Sequence, residues 1–364
     1  VCDLIHGSSE PNPFWVTELQ GGNNLYSSVR PLCPTPEDIA QWVWTGVGTG
    51  AERVIFWLLN FRRQGGEAGE WSLLNLDGEP SDRLKTAGEI AAILKSEPTL
   101  ANARARRVPI TLLLSQESLI VNMRYSPDDH PGRSSQAHIY AVLGYYQALS
   151  QLGFSPKIKF VHDFIGEDAA DEMVIVPHAL ALPDEHIERI NQFVRRGGTA
   201  LVTGLSGFYD ETTDTRPLQD TATRFGEGLK IREIRRLEKD CVVELESPQP
   251  TLPSQLWVGD LQAPAEQAIA KNGERITGIR QSLGQGELIW IPSPVGLQAW
   301  VGDSAPLAAF LRDAAKTHLA EEPIRFAEPS AGVVMRVLEH ADGLVTVITN
   351  GTMEEKQVQL ESEL

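Results

Sequence analysis

Residues 13–26 read Pro13-Phe14-Trp15-Val16-Thr17-Glu18-Leu19-Gln20-Gly21-Gly22-Asn23-Asn24-Leu25-Tyr26. An apolar, β-favouring run enters a carboxylate and then breaks into Gly-Gly-Asn-Asn, which is loop chemistry. The pattern places Glu18 at the C-terminal mouth of a strand. An α/β barrel or an open α/β sheet keeps its working residues there, and Tyr26 stands a short loop away, able to stack on a ligand. A carboxylate at a strand end is also a common capping or ion-paired group, so the stretch speaks to fold before it speaks to chemistry.

Working outward, Val1-Cys2-Asp3-Leu4-Ile5-His6 reads as a strand or loop already under way, and with no initiator Met it suggests the downstream part of a longer protein. After the loop, Thr35 is an N-cap, Pro36 the first helical residue and Glu37 and Asp38 the acids of the first turn, with Gly46, Gly48 and Gly50 marking the helix end. Residues 53–60 form a nearly continuous apolar run, predicting a parallel strand covered on both faces. A Gly-rich loop, 62–71, leads to a helix from Ser81 to about Lys95. This β-α-β-α order supplies only two barrel-type units over residues 1–100, and two units cannot close a barrel.

Residues 98–107 read as a linker whose basic residues form a solvated or interdomain face rather than a binding patch. Beyond them, strands at 108–114, 159–161, 173–177 and 199–204 alternate with helices at 134–152 and 183–196, the spacing of a doubly wound α/β domain. The 134–152 helix carries a stripe of Ile139, Val142, Leu143, Tyr146 and Leu149. Strands at 241–245, 275–283 and 287–292 and a helix at 305–318 close this part. At the end, 332–339 and 344–349 flank Ala341-Asp342-Gly343, a hairpin signal. Three domains are expected: 1–100, 107–318 and 322–364.

The chain has 364 residues, 41% hydrophobic and 22% charged, ample for buried cores. A formal net charge of -17 argues against nucleic acid or an anionic membrane as partner. Cys2, Cys33 and Cys241 are odd in number and scattered, so neither a disulfide framework nor a metal spacing can be read, and a reducing, cytoplasmic setting is the expectation. No run approaches the roughly 18 apolar residues of a membrane helix.

Residues 14–22, Gly50-Ala51 before an aromatic strand, and Gly66-Glu67 some fifty residues after Glu18 resemble the last two units of the catalytic (β/α)8 TIM barrel of family-42 glycoside hydrolases, which are retaining β-galactosidases. The part from about 107 to 300 is similar to that family's flavodoxin-like (amidotransferase-like) trimerisation domain, and the tail resembles the start of its small antiparallel β domain. The resemblance implies a homotrimer acting on a β-galactoside or related oligosaccharide. It makes Glu18 the nucleophile, Glu67 a carboxylate holding sugar hydroxyls, and Tyr26 the ring that packs on the sugar where the family usually has Trp. Glu70 stands where many members have His, and Trp71 at the rim of the pocket. Such a hydrolase needs a second, protonated carboxyl about 5 to 5.5 Å from the first. The resemblance puts that acid/base upstream of Val1. The family's zinc-type cysteine cluster is not visible, so neither metal nor cofactor is expected.

Trp15, Trp42, Trp44 and Trp57 are expected in the core, and Arg62 and Arg63 as ion partners of local acids. His6, His130, His138, His162, His178 and His186 lack metal spacing and read as surface or core residues. Residues 206–211 follow a strand where flavodoxin-like folds bind ligands, but without a phosphate-type Gly loop a subunit or interdomain contact fits better. An amidotransferase is disfavoured because no cysteine lies between Cys33 and Cys241. Two rival readings are a non-catalytic trimeric assembly or carbohydrate-binding protein with an incomplete site, and a retaining barrel glycosidase of other specificity.

Overall fold

A computed structural model describes residues 1–106, 108–125, 133–166, 172–215, 225–235, 241–246 and 251–362. The chain divides into two compact units, Val1–Arg107 with Val333–Gln357, and Val108–Gly332 with Val358–Leu364.

The first unit opens on a helix, α1 (Cys2–Ser9), where the sequence suggested strand or loop. Asp3 favours a helix start, and its carboxylate pairs with the buried Arg336 guanidinium at 2.9 Å. Strand β1 (Trp15–Gln20), helix α2 (Pro36–Gly48) and strand β2 (Arg53–Trp57) follow, the two strands pairing in parallel. The cap of α2 is a reciprocal box: the Asp38 amide donates to Thr35 Oγ1 at 3.2 Å and the Thr35 amide to Asp38 Oδ2 at 2.8 Å. Ile39 and Val43 of α2 and Ile90 of α3 (Asp82–Ser96) form a core with Leu19, Val54 and Phe56. Helices therefore cover one face of β2. On the other face Ile55 is 47% exposed, so the expectation of a strand covered on both sides does not hold here.

The expected linker is ordered as α4 (Pro98–Asn102) and a two-residue strand, β3 (Arg104–Ala105). Among its arginines, Arg106 ion-pairs with Glu339.

The second unit holds β4 (Ile110–Leu114), α5 (Gln116–Tyr125), α6 (Ala137–Ser150), β5 (Lys157–Phe160), β6 (Met173–Pro177), α7 (Asp184–Arg195) and β7 (Thr199–Thr203). It continues through β8 (Lys230–Arg235), β9 (Cys241–Glu244), β10 (Thr251–Ser254), β11 (Val258–Gln262), β12 (Ala268–Asn272), β13 (Arg275–Leu283) and β14 (Gly286–Ile291). Helices α8 (Val295–Val301), α9 (Ala305–Ala314) and α10 (Lys316–Leu319) and strand β15 (Ile324–Phe326) follow. The sheet order is β5-β4-β6-β7-β14-β13-β11-β8, with β12 also on β13. The strands from β5 to β14 run parallel and the rest antiparallel. Every residue of β4, β6 and β7 is buried, which is why these strands read as unbroken apolar runs.

Helix α6 buries only part of the predicted stripe: Val142 and Leu149 are buried, Ile139, Leu143 and Tyr146 only half-buried, and Ala141, Gly144, Tyr145 and Ala148 are buried instead. The small residues let α8 approach: a Cβ on Gly144 would lie 1.8 Å from the Gly296 carbonyl oxygen.

Strands β16 (Val333–His340) and β17 (Gly343–Asn350) form the expected hairpin about Ala341-Asp342, with Gly343 at φ +147. The hairpin extends through β3, which pairs Ala105 with Leu338, and it packs on α2, where a Cβ on Gly48 would sit 3.0 Å from Val347. The last strand, β18 (Leu360–Ser362), pairs with β15 of the second unit. Residues 322–364, expected as one module, are thus divided between the two units.

Candidate active site

The site is built at the C-terminal ends of β1 and β2. Trp15 and Val16 face Arg53 and Val54, and Leu19 and Gln20 face Phe56 and Trp57, so Thr17 and Glu18 together stand against Ile55 alone. This bulge redirects the strand at Glu18, a device common beside working side chains. The Glu18 side chain is exposed and has no hydrogen-bond or ion-pair partner among the described residues.

Two loops frame it and are laced together. Gly21 and Gly22 let them touch: a Cβ on Gly22 would fall 2.3 Å from the Ser72 carbonyl oxygen, and one on Gly21 2.8 Å from Leu73. The Trp71 amide donates to Asn23 O at 2.7 Å, and the Leu58 amide donates to Trp71 O at 2.8 Å. Arg83 donates from Nε to Gly21 O at 2.9 Å and from Nη2 to Ser72 O at 3.3 Å, tying the base of both loops. Sequence reasoning missed Arg83. The available signal was a cation in a helix's first turn, where the dipole disfavours it.

Each expected site residue can now be placed. Tyr26 projects its ring into solvent, 93% exposed. Glu67 Oε2 is buried 3.3 Å from Arg62 Nη1, within ion-pair range but not aligned for a hydrogen bond, and has no hydrogen-bond partner among the described residues. Arg62 also lies over the Trp57 ring at 4.7 Å. Glu70 is buried and turned into the loop: Oε1 accepts the Tyr26 amide at 2.6 Å and Oε2 the Ser27 amide at 3.0 Å. The Ser27 hydroxyl, together with these two amides, holds the Glu70 carboxyl below the usual glutamate range. The Trp71 indole N–H donates to Ser27 Oγ at 2.8 Å. Trp15, expected in the core, is 44% exposed, with Arg53 4.4 Å over its ring, because it shares the uncovered face of the sheet. Trp42 and Trp44 do pack on the α2–α3 core.

In the second unit the strand ends are closed by the protein's own groups. His138 is buried between the Pro177 carbonyl, 3.0 Å from Nδ1, and the Ser115 amide, 2.9 Å from Nε2. Burial pushes His138 down to about 4 and His178 to about 3. Ser206 is fully buried; its Oγ accepts the Ala179 amide at 2.9 Å and lies 2.8 Å from the Thr203 carbonyl. His130 lies outside the described residues.

An exposed carboxylate at a parallel strand end, framed by loops that carry Tyr26 and Trp71 and followed in the chain by a doubly wound α/β unit, is compatible with the class of the barrel glycoside hydrolases. Residues 1–96 match the family described as Beta-galactosidase, and residues 121–317 match its Beta-galactosidase trimerisation domain. The chain belongs to glycoside hydrolase family 42.

A curated relative, the β-galactosidase BgaP of Planococcus sp. (strain L4), is 23% identical over 215 residues, covering 58% of this chain and 30% of the relative. A catalytic mutant of a GH42 β-galactosidase from G. stearothermophilus superposes with TM-score 0.77 at 14% identity, over 97% of this chain and 50% of that one. The β-galactosidase from Bacillus circulans sp. alkalophilus gives 0.71 at 16% identity, over 96% and 56%. The chain thus spans under a third of its curated relative and about half of these solved structures.

Proposed function

We propose that this chain contributes the nucleophile half of a retaining β-galactosidase. Glu18 attacks the anomeric carbon of a terminal β-D-galactoside and forms a glycosyl ester as the bond to the aglycone oxygen breaks. An acid/base carboxyl, assigned to barrel strands outside these residues, protonates that oxygen; water then cleaves the ester and returns Glu18 as a carboxylate. Glu67, whose Oε2 is ion-paired with Arg62 and makes no hydrogen bond among the described residues, is assigned to hold sugar hydroxyls, and the Tyr26 ring offers a face to the pyranose. Residues 1–100 are assigned to the end of the catalytic barrel, 107–318 to the trimerisation domain of a homotrimer, and the 333–350 hairpin to the start of a small β module. The scattered cysteines suit the cytoplasm.

The observation that carries this reading is the bulge at Thr17-Glu18, which leaves an unpaired carboxylate at the mouth of β1. In the protein containing the whole barrel, Glu18→Gln lowers turnover of nitrophenyl β-galactoside by several orders of magnitude with an unchanged melting temperature. Near-normal turnover would refute the assignment.

A further inference from the structure

Glu70 lies three residues from Glu67, yet the two carboxylates face different tasks. Glu70 is 5% exposed, and its oxygens are taken by the Tyr26 and Ser27 amides and by the Ser27 hydroxyl. That hydroxyl in turn accepts the Trp71 indole N–H, so a relay runs from Trp71 through Ser27 to Glu70 and back to the Tyr26 backbone. Trp71 itself has φ +66, a left-handed conformation that a bulky residue keeps only where its surroundings hold it. The result is a fixed backbone under a free ring.

We propose that Glu70 is a positioning residue that fixes the backbone from which the Tyr26 ring projects, and so sets sugar affinity without touching the sugar. This rests on the reading of Glu18 and Tyr26 as parts of a galactoside site, and it takes Glu70 out of the substrate contacts. Glu70→Gln keeps the shape but presents an NH2 group where an amide donor must be accepted, leaving two donors facing each other.

The test has two arms in the full-length protein. In the first, hydrogen exchange at the Tyr26 and Ser27 amides is compared between wild type, Glu70→Gln and Ser27→Ala. Exchange at least tenfold faster in both variants, at wild-type melting temperature, supports the latch; unchanged exchange overturns it. In the second, Glu70→Gln raises KM for nitrophenyl β-galactoside about tenfold, as expected for a lost hydrogen bond to a charged group, with kcat within a few-fold. Because Glu70 acts through the ring, adding Tyr26→Ala to Glu70→Gln raises KM no further than Tyr26→Ala alone. Ser27→Ala follows Glu70→Gln, and Ser27→Thr, which keeps the hydroxyl, restores wild-type KM. Multiplying KM effects, or a fall in kcat at constant KM, overturns the proposal. A wild-type protein inactive on the galactoside would refute the reaction while the exchange arm still decides the latch.

Discussion

His138 and His178, two of the buried histidines of the second unit, make its stability dependent on acid. Both sit below their ordinary value because burial disfavours the cation, His138 at about 4 and His178 at about 3. A group depressed in the folded state contributes stability that is present above its unfolded value, near 6.5, and lost as pH falls through the folded value. Between pH 7.5 and 5.0 the unfolded chain takes up a proton at each ring and the folded chain takes up almost none. The linkage integral is about 2 kcal/mol for each histidine and about 4 kcal/mol for the pair. With a urea dependence of about 3 kcal/mol per molar, the unfolding midpoint should fall by a little over 1 M. Far-UV circular dichroism at the two pH values measures this. His138→Gln, which cannot take the proton, should lower the midpoint at pH 7.5 and halve its pH dependence. An equal pH dependence in wild type and variant would refute the reasoning, because the ring would then not be a neutral group excluded from water.

Gly144→Ala drives a methyl into the Gly296 carbonyl and should cost on the order of 3 kcal/mol, read as a lowered unfolding midpoint. Asp260 is buried and accepts both Arg235 Nε and Nη2 at 2.6 Å and Arg275 Nη1 at 2.8 Å, so Asp260→Asn should cost about 2–3 kcal/mol by the same assay. Fully buried pairs lose more; here Arg275 is 43% exposed and can turn to water. Arg83→Met keeps the aliphatic stem but frees the Gly21 and Ser72 carbonyls, so amide exchange over residues 20–24 and 71–74 should quicken while the global midpoint moves by about 2 kcal/mol or less.

What the sequence made legible was local. The Thr35-Pro36-Glu37-Asp38 cap, the strand that carries Glu18 and the apolar runs of β4, β6 and β7 each carry their signal within a few residues. The hairpin about Ala341-Asp342 does so too. What escaped depends on partners far along the chain. Strand β3 is two residues long and exists because Leu338 and Glu339 pair with it. Strand β10 contains Pro253, which argues against a strand by itself and is accommodated in a two-strand pair with β9. The buried face of α6 is decided partly by the glycine of α8 that meets it, so a hydrophobic count along α6 found Val142 and Leu149 but not Gly144 and Tyr145. Near the candidate site, the position of Glu18 close to the end of its strand and of Tyr26 on the loop beyond was readable from one stretch. The difference between Glu67 and Glu70 was not, because it turns on two backbone amides 43 and 44 residues earlier.

The pairing of β3 with β16 has a consequence for synthesis. Arg106 and Glu339 are 233 residues apart, so a ribosome adding roughly 5–20 residues per second takes about 10–50 s to deliver the partner. For that interval β3 is an unpaired strand edge and Gly48 lacks its contact with Val347, while residues 108–332, nearly all of the second unit, emerge. The first unit is therefore closed only after residues 108–332 of the second have been made, and its nascent edge needs shielding until the hairpin arrives.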